Sequence, residues 1–548
     1  MRRHGGQILV DQLAIQGCDR VFCVPGESYL AALDGLHAHN AIHTVICRQE
    51  GGAAMMAEAY AKATGKPGIC FCTRGPGATN AAAGVHVAFQ DSTPMILFIG
   101  QVAGDQKDRE AFQEVNYELM FAPLAKWVAQ IDSVERIPEY ISQAYHRAMS
   151  GRPGPVVLAL PEDMLSSSTD VEDALAATMV EAKLSNEDLE QFKELLGEAE
   201  QPLMIVGGSG WSQSLNDQLE AFALSEGMPV ACAFRFQDHF DNKHPNYVGD
   251  VGIGVNAKLV KRIQNSDLII AVGVRLGEMT TSGYSIFDIP NPKQKLVHVY
   301  PGSDELGRVY RPHMAINASS RSFINALIGV SGLARSSWCD QAKAGNYEYR
   351  ENIEPEATAG DLRMEEVMVW LRDNLPEDAV LTNGAGNYSA WVHRYHQYQK
   401  FGSQLAPTSG SMGYGLPASI GGQFAHPDRT VVCFAGDGCL MMTSQELATI
   451  AAHDLPIIVI VVNNGMYGTI RMHQERTYPG RVSGTSLHNP DFVAFAKSFG
   501  IDAALVERTA DFPAAFEHAQ ALRRPYLLEL KIDPEALSPK LKLSSLIQ

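Results

Sequence analysis

The chain has 548 residues, 45% of them hydrophobic and 19% charged, with a formal net charge of −18. That length exceeds what one hydrophobic core organises and suggests roughly three domains, while the composition excludes a disordered or fibrous chain. The acidic balance, without a basic stripe, excludes nucleic acid and anionic membrane surfaces as partners; an anionic substrate needs local positive charge from helix N-termini, a metal or single Arg and Lys side chains.

From the N-terminus, Met1-Arg-Arg-His-Gly-Gly is followed by no long apolar stretch. The longest apolar run, 455–462, has strand length and falls short of a membrane span. The nine cysteines include no CxxC pair and lie mostly in apolar runs, so they are expected to be buried free thiols in a reducing, cytoplasmic compartment. Short β-branched runs at 68–72, 95–99, 156–160, 203–206, 268–272, 296–299, 430–434 and 457–462 alternate with amphipathic segments such as 185–199 and 365–374. This alternation predicts an α/β fold of three doubly wound parallel-sheet domains. Two polar stretches, 166–185 and 331–360, read as linkers and divide the chain into domains at 1–165, 185–345 and 360–535. The outer two echo each other faintly, since 73–82 and 408–418 are both Gly-rich turns entering a small-residue helix.

Gly436-Asp437-Gly438 is followed, after 24 residues, by Asn463-Asn464. The strand expected at 430–434 ends at the first motif, 444–453 reads as a helix, and the strand at 457–462 ends at the second. Asp437 and Asn464 therefore leave one edge of a parallel sheet, where open α/β folds place ligands. A diphosphate in an acidic protein needs a hard divalent ion, held by a carboxylate, an amide oxygen and a carbonyl, and glycines that let backbone N–H groups approach. Alone, Gly-Asp-Gly is an ordinary turn; the spacing and the bracketing strands favour the diphosphate reading.

These motifs resemble the signature of the thiamine diphosphate-dependent decarboxylase and acetohydroxyacid synthase superfamily, and the resemblance extends over nearly the whole chain. It implies pyrimidine-binding, central and diphosphate-binding domains in that order. It also implies Mg²⁺ on the side chains of Asp437 and Asn464 and the Met466 carbonyl. Gly386, Asn387, Gly436, Gly438, Cys439, Tyr467 and Gly468 would surround the cofactor, Gly410 would receive its amino group, and Met412 would wedge its two rings into a V. By itself, a Met in a Gly-rich turn is more often core filler. Glu50, in Cys47-Arg-Gln-Glu-Gly-Gly-Ala-Ala, matches the activating carboxylate of the family, although a carboxylate at a helix N-terminus is also favoured by the macrodipole. The resemblance further implies a homodimer or homotetramer with active sites at subunit interfaces.

Within the superfamily, Ala111-Phe-Gln-Glu, Pro123-Leu-Ala-Lys, Gly75-Pro-Gly-Ala-Thr-Asn and Asp91-Ser-x-Pro resemble acetolactate synthases and carry over Gln113 and Lys126 as residues near the substrate channel. The adjacent His pair of pyruvate decarboxylases is replaced by Phe112-Gln113, and their later Glu by Ile470. Thr73 stands where benzoylformate decarboxylase has a catalytic His, which puts that chemistry in doubt. Departures from the synthases are His473 in place of a selecting Trp, Arg74 in place of a small residue, and Glu27 in place of Gly. Glu27 either supplies a proton near the cofactor or caps the helix beginning near Tyr29. In the central domain, Val206-Gly-Gly-Ser-Gly-Trp211 is a weak nucleotide-type turn, and 274–279 lacks the Arg-Phe-Asp-Asp-Arg run expected beside FAD, so FAD is possible but not favoured.

The expected function is a carboligase of acetolactate synthase type, which decarboxylates a 2-oxo acid such as pyruvate and adds what remains to a second carbonyl compound. The alternative is a 2-oxo acid decarboxylase that releases an aldehyde. A dinucleotide oxidoreductase would need a GxGxxG opening that is missing, and a non-catalytic cofactor-binding protein would not need Glu50.

Overall fold

The computed structural model describes residues 2–547 and contains three six-stranded, all-parallel sheets flanked by helices. The N-terminal sheet runs, from edge to edge, His43–Ile46, Arg20–Cys23, Gly68–Cys72, Met95–Gln101, Pro155–Pro161 and Trp127–Gln130. Numbered along the chain, that order is 2-1-3-4-6-5. The C-terminal sheet has the same order, through Gln404–Leu405, Val380–Asn383, Val431–Gly436, Ile457–Asn463, Tyr526–Lys531 and Asp502–Val506. The central sheet differs: Tyr247–Asp250, Val230–Cys232, Pro202–Val206, Leu268–Val272, Lys295–Val299 and Met314–Ile316, or 3-2-1-4-5-6. The inner strands read as continuous apolar runs because helices cover both faces; Met95–Gln101, Pro155–Pro161 and Pro202–Val206 are buried throughout. All nine cysteines are free. Among the described residues no helix is long and apolar enough to cross a membrane.

The chain forms two compact units. One comprises residues up to Val180 together with 416–427 and 443–455; the other holds the central and C-terminal sheets. In the second unit, Arg235 follows the central strand Val230–Cys232, and its guanidinium donates to the carbonyls of Pro407 and Gly384, the latter at 3.0 Å. Asp238 accepts from the backbone N–H groups of Gly402 and Gln404 at 2.9 and 3.2 Å.

Two expectations need correction. The stretch 331–360 is not a loose linker, because it contains the helix Ser336–Asn352. Trp338, Ala342, Gly345 and Tyr349 form its buried stripe, with the Trp338 indole donating to the Ala199 carbonyl at 3.0 Å. Charged residues between the stripe positions masked it in the sequence. The helix expected at 444–453 begins instead as a 3₁₀ turn, Ser444–Glu446, before the short helix Leu447–Ala452. The Gly-rich turn of the central sheet is closed on itself: a Cβ at Gly208 would strike the Gly273 carbonyl, and Trp211 donates to the Gly207 carbonyl at 2.8 Å. Close packing thus accounts for Gly207 and Gly208, while Gly210 has a positive φ and no neighbour where a Cβ would stand.

Limited proteolysis separates the two former linkers. Cleavage should begin in 170–184, which has no regular structure, and spare 336–352. Trp338→Ala removes a fully buried side chain at a cost of roughly 3–5 kcal/mol, and should expose 336–352 to the same protease; equal early cleavage of both stretches in the wild type would contradict this account.

Candidate active site

In the C-terminal sheet the chain order reverses between Val380–Asn383 and Val431–Gly436, which opens a crevice at their carboxyl ends, where such sheets take ligands. A cavity of about 230 Å³ lies there. Its wall brings together Gly386, Asn387, Gly410, Met412, Gly436, Asp437, Gly438, Cys439, Asn464, Met466, Tyr467 and Gly468. Ile470 lines the same cavity and is half exposed. His473 is exposed on the helix Gly468–Thr477.

The glycines here answer to close approach. A Cβ at Gly438 would strike the Tyr467 ring, and one at Gly436 would come within 3.0 Å of the Tyr388 ring. The Tyr388 hydroxyl accepts from the Gly384 N–H at 3.0 Å and donates to the Cys439 sulfur at 3.4 Å, fixing the ring beneath the turn. Asn387 is held by Thr469, whose hydroxyl accepts from the Asn387 N–H and donates to its side-chain oxygen, both at 2.9 Å. Met412 is partly buried against the C-terminal core, so the core-filler reading is met in part.

Asp437 follows a fully buried strand and is 3% exposed. Burial pushes its carboxyl above the usual range, against the donors that surround it. Those donors are the Gly438 N–H at 2.9 Å, the Gly465 N–H at 2.9 Å and the Asn489 amide at 2.7 Å. Asn489 also donates to the Asn463 side-chain oxygen at 3.1 Å, and Asn463 donates to Glu529 at 2.7 Å. The sequence reading missed Asn489, because no local pattern connects it to a site 52 residues away. The Asn464 side chain accepts from the Met466 N–H at 3.2 Å. Among the described residues no three His, Cys, Asp or Glu side chains converge on a metal-sized space. Asp437, Asn464 and the Met466 carbonyl, which accepts from the Gly468 N–H at 2.9 Å, are oxygen donors that could hold a hard dication with one charged protein ligand.

In the first unit, Glu50 opens the helix Glu50–Thr64 and is 8% exposed. It accepts from the Asn80 amide at 2.9 Å, and a Cβ at Gly77 would come within 3.1 Å of its other oxygen. The start of this helix is held from an unexpected side. Glu446 accepts from the backbone N–H groups of Arg48, at 3.1 Å, and Gln49, at 2.9 Å. Burial raises the Glu446 carboxyl.

The remaining candidates lie in the same unit. Glu27 does not cap the next helix, whose N-terminus has no side-chain cap; its exposed carboxylate pairs with Arg74 at 2.8 Å. Gln113 sits at φ +64°, a left-handed conformation in a non-glycine residue, and its carbonyl accepts from the Gly75 N–H at 3.1 Å. The Lys126 ammonium is engaged by the carbonyls of Arg147 and Ser150 at the end of the helix Ile137–Met149. Burial, with Arg152 and Arg147 nearby, lowers it to about 8.

Comparison with known proteins gives the class. Residues 3–120, 189–327 and 384–530 match the N-terminal TPP binding, central, and C-terminal TPP binding domains of the thiamine pyrophosphate enzymes, and the chain belongs to that family. It is 32% identical to the acetolactate synthase isozyme 2 large subunit of Escherichia coli K12, over 97% of this chain and 96% of that protein. It is 30% identical to the acetolactate synthase large subunit of Corynebacterium glutamicum, over 98% of this chain and 88% of that one. The probable acetolactate synthase large subunit of Methanocaldococcus jannaschii is 29% identical, over 98% and 93%.

Asn489→Ala withdraws one of the three donors that orient Asp437 without touching the cavity wall. Support of a ligand by its neighbours is typically worth about 10–100-fold in metal affinity. Divalent-cation-dependent binding of thiamine diphosphate, titrated by calorimetry, should weaken by that order; an unchanged titration would make Asn489 a bystander.

Proposed function

We propose that this chain is a thiamine diphosphate-dependent carboligase of acetolactate synthase type, acting on a 2-oxo acid and a second carbonyl compound. The observation that carries this reading is the cavity at the sheet's crevice, whose wall brings together Asp437, Asn464, Met466 and several glycines in a member of this family. Asp437, Asn464 and the Met466 carbonyl would hold Mg²⁺ against the diphosphate. Gly436, Gly438, Gly386 and Asn387 would let backbone groups reach it, with Cys439, Tyr467 and Gly468 completing the wall. When bound, the cofactor supplies a nucleophilic carbon that accepts the 2-oxo group and stabilises the negative charge left by loss of CO₂.

The protein's part is orientation and proton handling. Glu50 would hold a proton at the aminopyrimidine nitrogen, Asn80 orients the Glu50 carboxylate, and Met412 with the Gly410 carbonyl would support the rings of the bound cofactor. We place the working site between two subunits, in a homodimer or homotetramer, as the resemblance to this family implies. Two features favour ligation over aldehyde release. Ile470 stands where an acid would be needed, and the Glu27 carboxylate is engaged in an ion pair with Arg74.

Asp437→Ala should lose Mg²⁺ and thiamine diphosphate together, as read by calorimetry, since neither is held well alone; retained cofactor affinity would refute the assignment. Glu50→Gln should lower turnover by about 10²–10⁴-fold with a modest loss of binding, and should slow hydrogen–deuterium exchange at the thiazolium carbon in parallel. Exchange at the wild-type rate would assign activation to another residue. Wild-type protein fed pyruvate should yield mainly acetolactate; free acetaldehyde as the main product would favour the decarboxylase alternative.

A further inference from the structure

The N-terminal sheet repeats the strand order of the C-terminal one, so it has its own crevice, between Arg20–Cys23 and Gly68–Cys72. Glu27 follows the first of these strands and Arg74 the second. The two loops are pinned together: a Cβ at Gly26 would strike the Thr73 side chain, and the Ser28 and Thr73 hydroxyls lie 2.9 Å apart. Arg74 immediately precedes the helix Gly75–Asp91, whose first two turns bring Gly77 and Asn80 to Glu50. The pair thus sits beside the carboxylate proposed to activate the cofactor, at a position where open α/β sheets take ligands.

The pairing itself is unequal. Arg74 is only 6% exposed, yet its ion-pair partner is a carboxylate whose side chain is 68% exposed. Contact is through one guanidinium nitrogen, Nη2, at 2.8 Å, while the buried Nε has no hydrogen-bond partner. The Phe112 ring lies 6.0 Å from the guanidinium and offers it no acceptor oxygen. A buried donor without an acceptor is costly, and a guanidinium binds a carboxylate best side-on, through two parallel hydrogen bonds. Glu27 uses half of that capacity and can swing into water.

We infer that Arg74 recognises the carboxylate of the acceptor substrate, and that Glu27 is a displaceable counter-ion whose place that carboxylate takes. An acceptor carboxylate on Nε and Nη2 would satisfy the buried donor and set its neighbouring carbonyl at a fixed distance. The preferred acceptor is then a 2-oxo acid and not a neutral aldehyde. This inference rests on the carboligase reading, and it gives the −18 chain the local cation that an anionic substrate requires.

The test is a competition in the holoenzyme, with pyruvate as donor and equimolar 2-oxobutanoate and propanal as acceptors. The two acceptors differ by one carboxylate, and the ratio of their products does not depend on how the donor binds. Arg74→Gln should lower the ratio of acid to aldehyde product by about 10–100-fold, the usual worth of hydrogen bonds to a charged group. Arg74→Lys, which keeps the charge without the fork, should fall between. Glu27→Gln, a change at an exposed side chain, should raise the ratio. An unchanged ratio in Arg74→Gln, or a fall in Glu27→Gln, overturns the inference. Calorimetric titration of oxamate, an unreactive 2-oxo acid mimic, reads the same site without turnover: binding should weaken in Arg74→Gln and tighten in Glu27→Gln, and equal affinities in all three proteins overturn it. Wild-type protein that forms no ligation product would refute the carboligase reading, while the oxamate titrations would still decide the role of Arg74.

Discussion

A carboxylate withdrawn from water at the end of an apolar strand is the constraint around which the C-terminal sheet is arranged. Val431–Gly436 is buried along its whole length, and the first charged side chain after it, Asp437, has no solvent to turn to. Three N–H donors hold it in place, yet burial still raises its carboxyl, so the protein's own dipoles leave part of the desolvation uncompensated. A dication adjacent to it would supply the balance, and a diphosphate would in turn need that dication in so acidic a chain. The tight packing of Tyr388 and Tyr467 against the turn fits the same requirement, since a site at which backbone N–H groups would meet phosphate has to be rigid and free of Cβ atoms.

The outer sheets solve one topological problem twice. Each reverses its order between its first and third strands, and each carries candidate site residues on the loops that leave that gap. In the C-terminal sheet the loops are glycine-rich and surround a cavity. In the N-terminal sheet they approach closely at Gly26 and Thr73, the Ser28 and Thr73 hydroxyls meet between them, and Glu27 and Arg74 form an ion pair across them. A common framework thus carries a glycine-lined cavity in one place and a charged pair in the other.

Much of this was legible in the sequence, for a physical reason. Strands covered on both faces leave uninterrupted apolar runs, so 68–72, 268–272 and 457–462 stand out. Short or edge strands such as His43–Ile46, Val230–Cys232 and Asp502–Val506 have mixed exposure or too few residues to do so. The helix Ser336–Asn352 was hidden because its apolar stripe is narrow and its other faces are polar. At the site, Asp437 and Asn464 were readable because both lie at strand ends with fixed spacing. Asn489 and Glu446 were not, because each acts across a long stretch of chain on a backbone or carboxylate partner. Glu27 and Arg74 were noticed separately as departures from a pattern; only the sheet order makes them a pair.

Glu446 has a bearing on how the chain is made. Its carboxylate caps N–H groups nearly 400 residues earlier, and it belongs to one of two late segments, 416–427 and 443–455, that complete a unit otherwise ending at Val180. At ribosomal rates of roughly 5–20 residues per second, the first unit waits on the order of tens of seconds between emergence of its last early strand and arrival of these helices. During that interval the Ala- and Gly-rich face of Glu50–Thr64, where Gly52 meets Glu446 and Met56 meets Gly421, has no partner from its own unit. The completeness of the N-terminal third is therefore set by the time the ribosome takes to deliver the final third, and faster synthesis shortens the interval in which that face stands open.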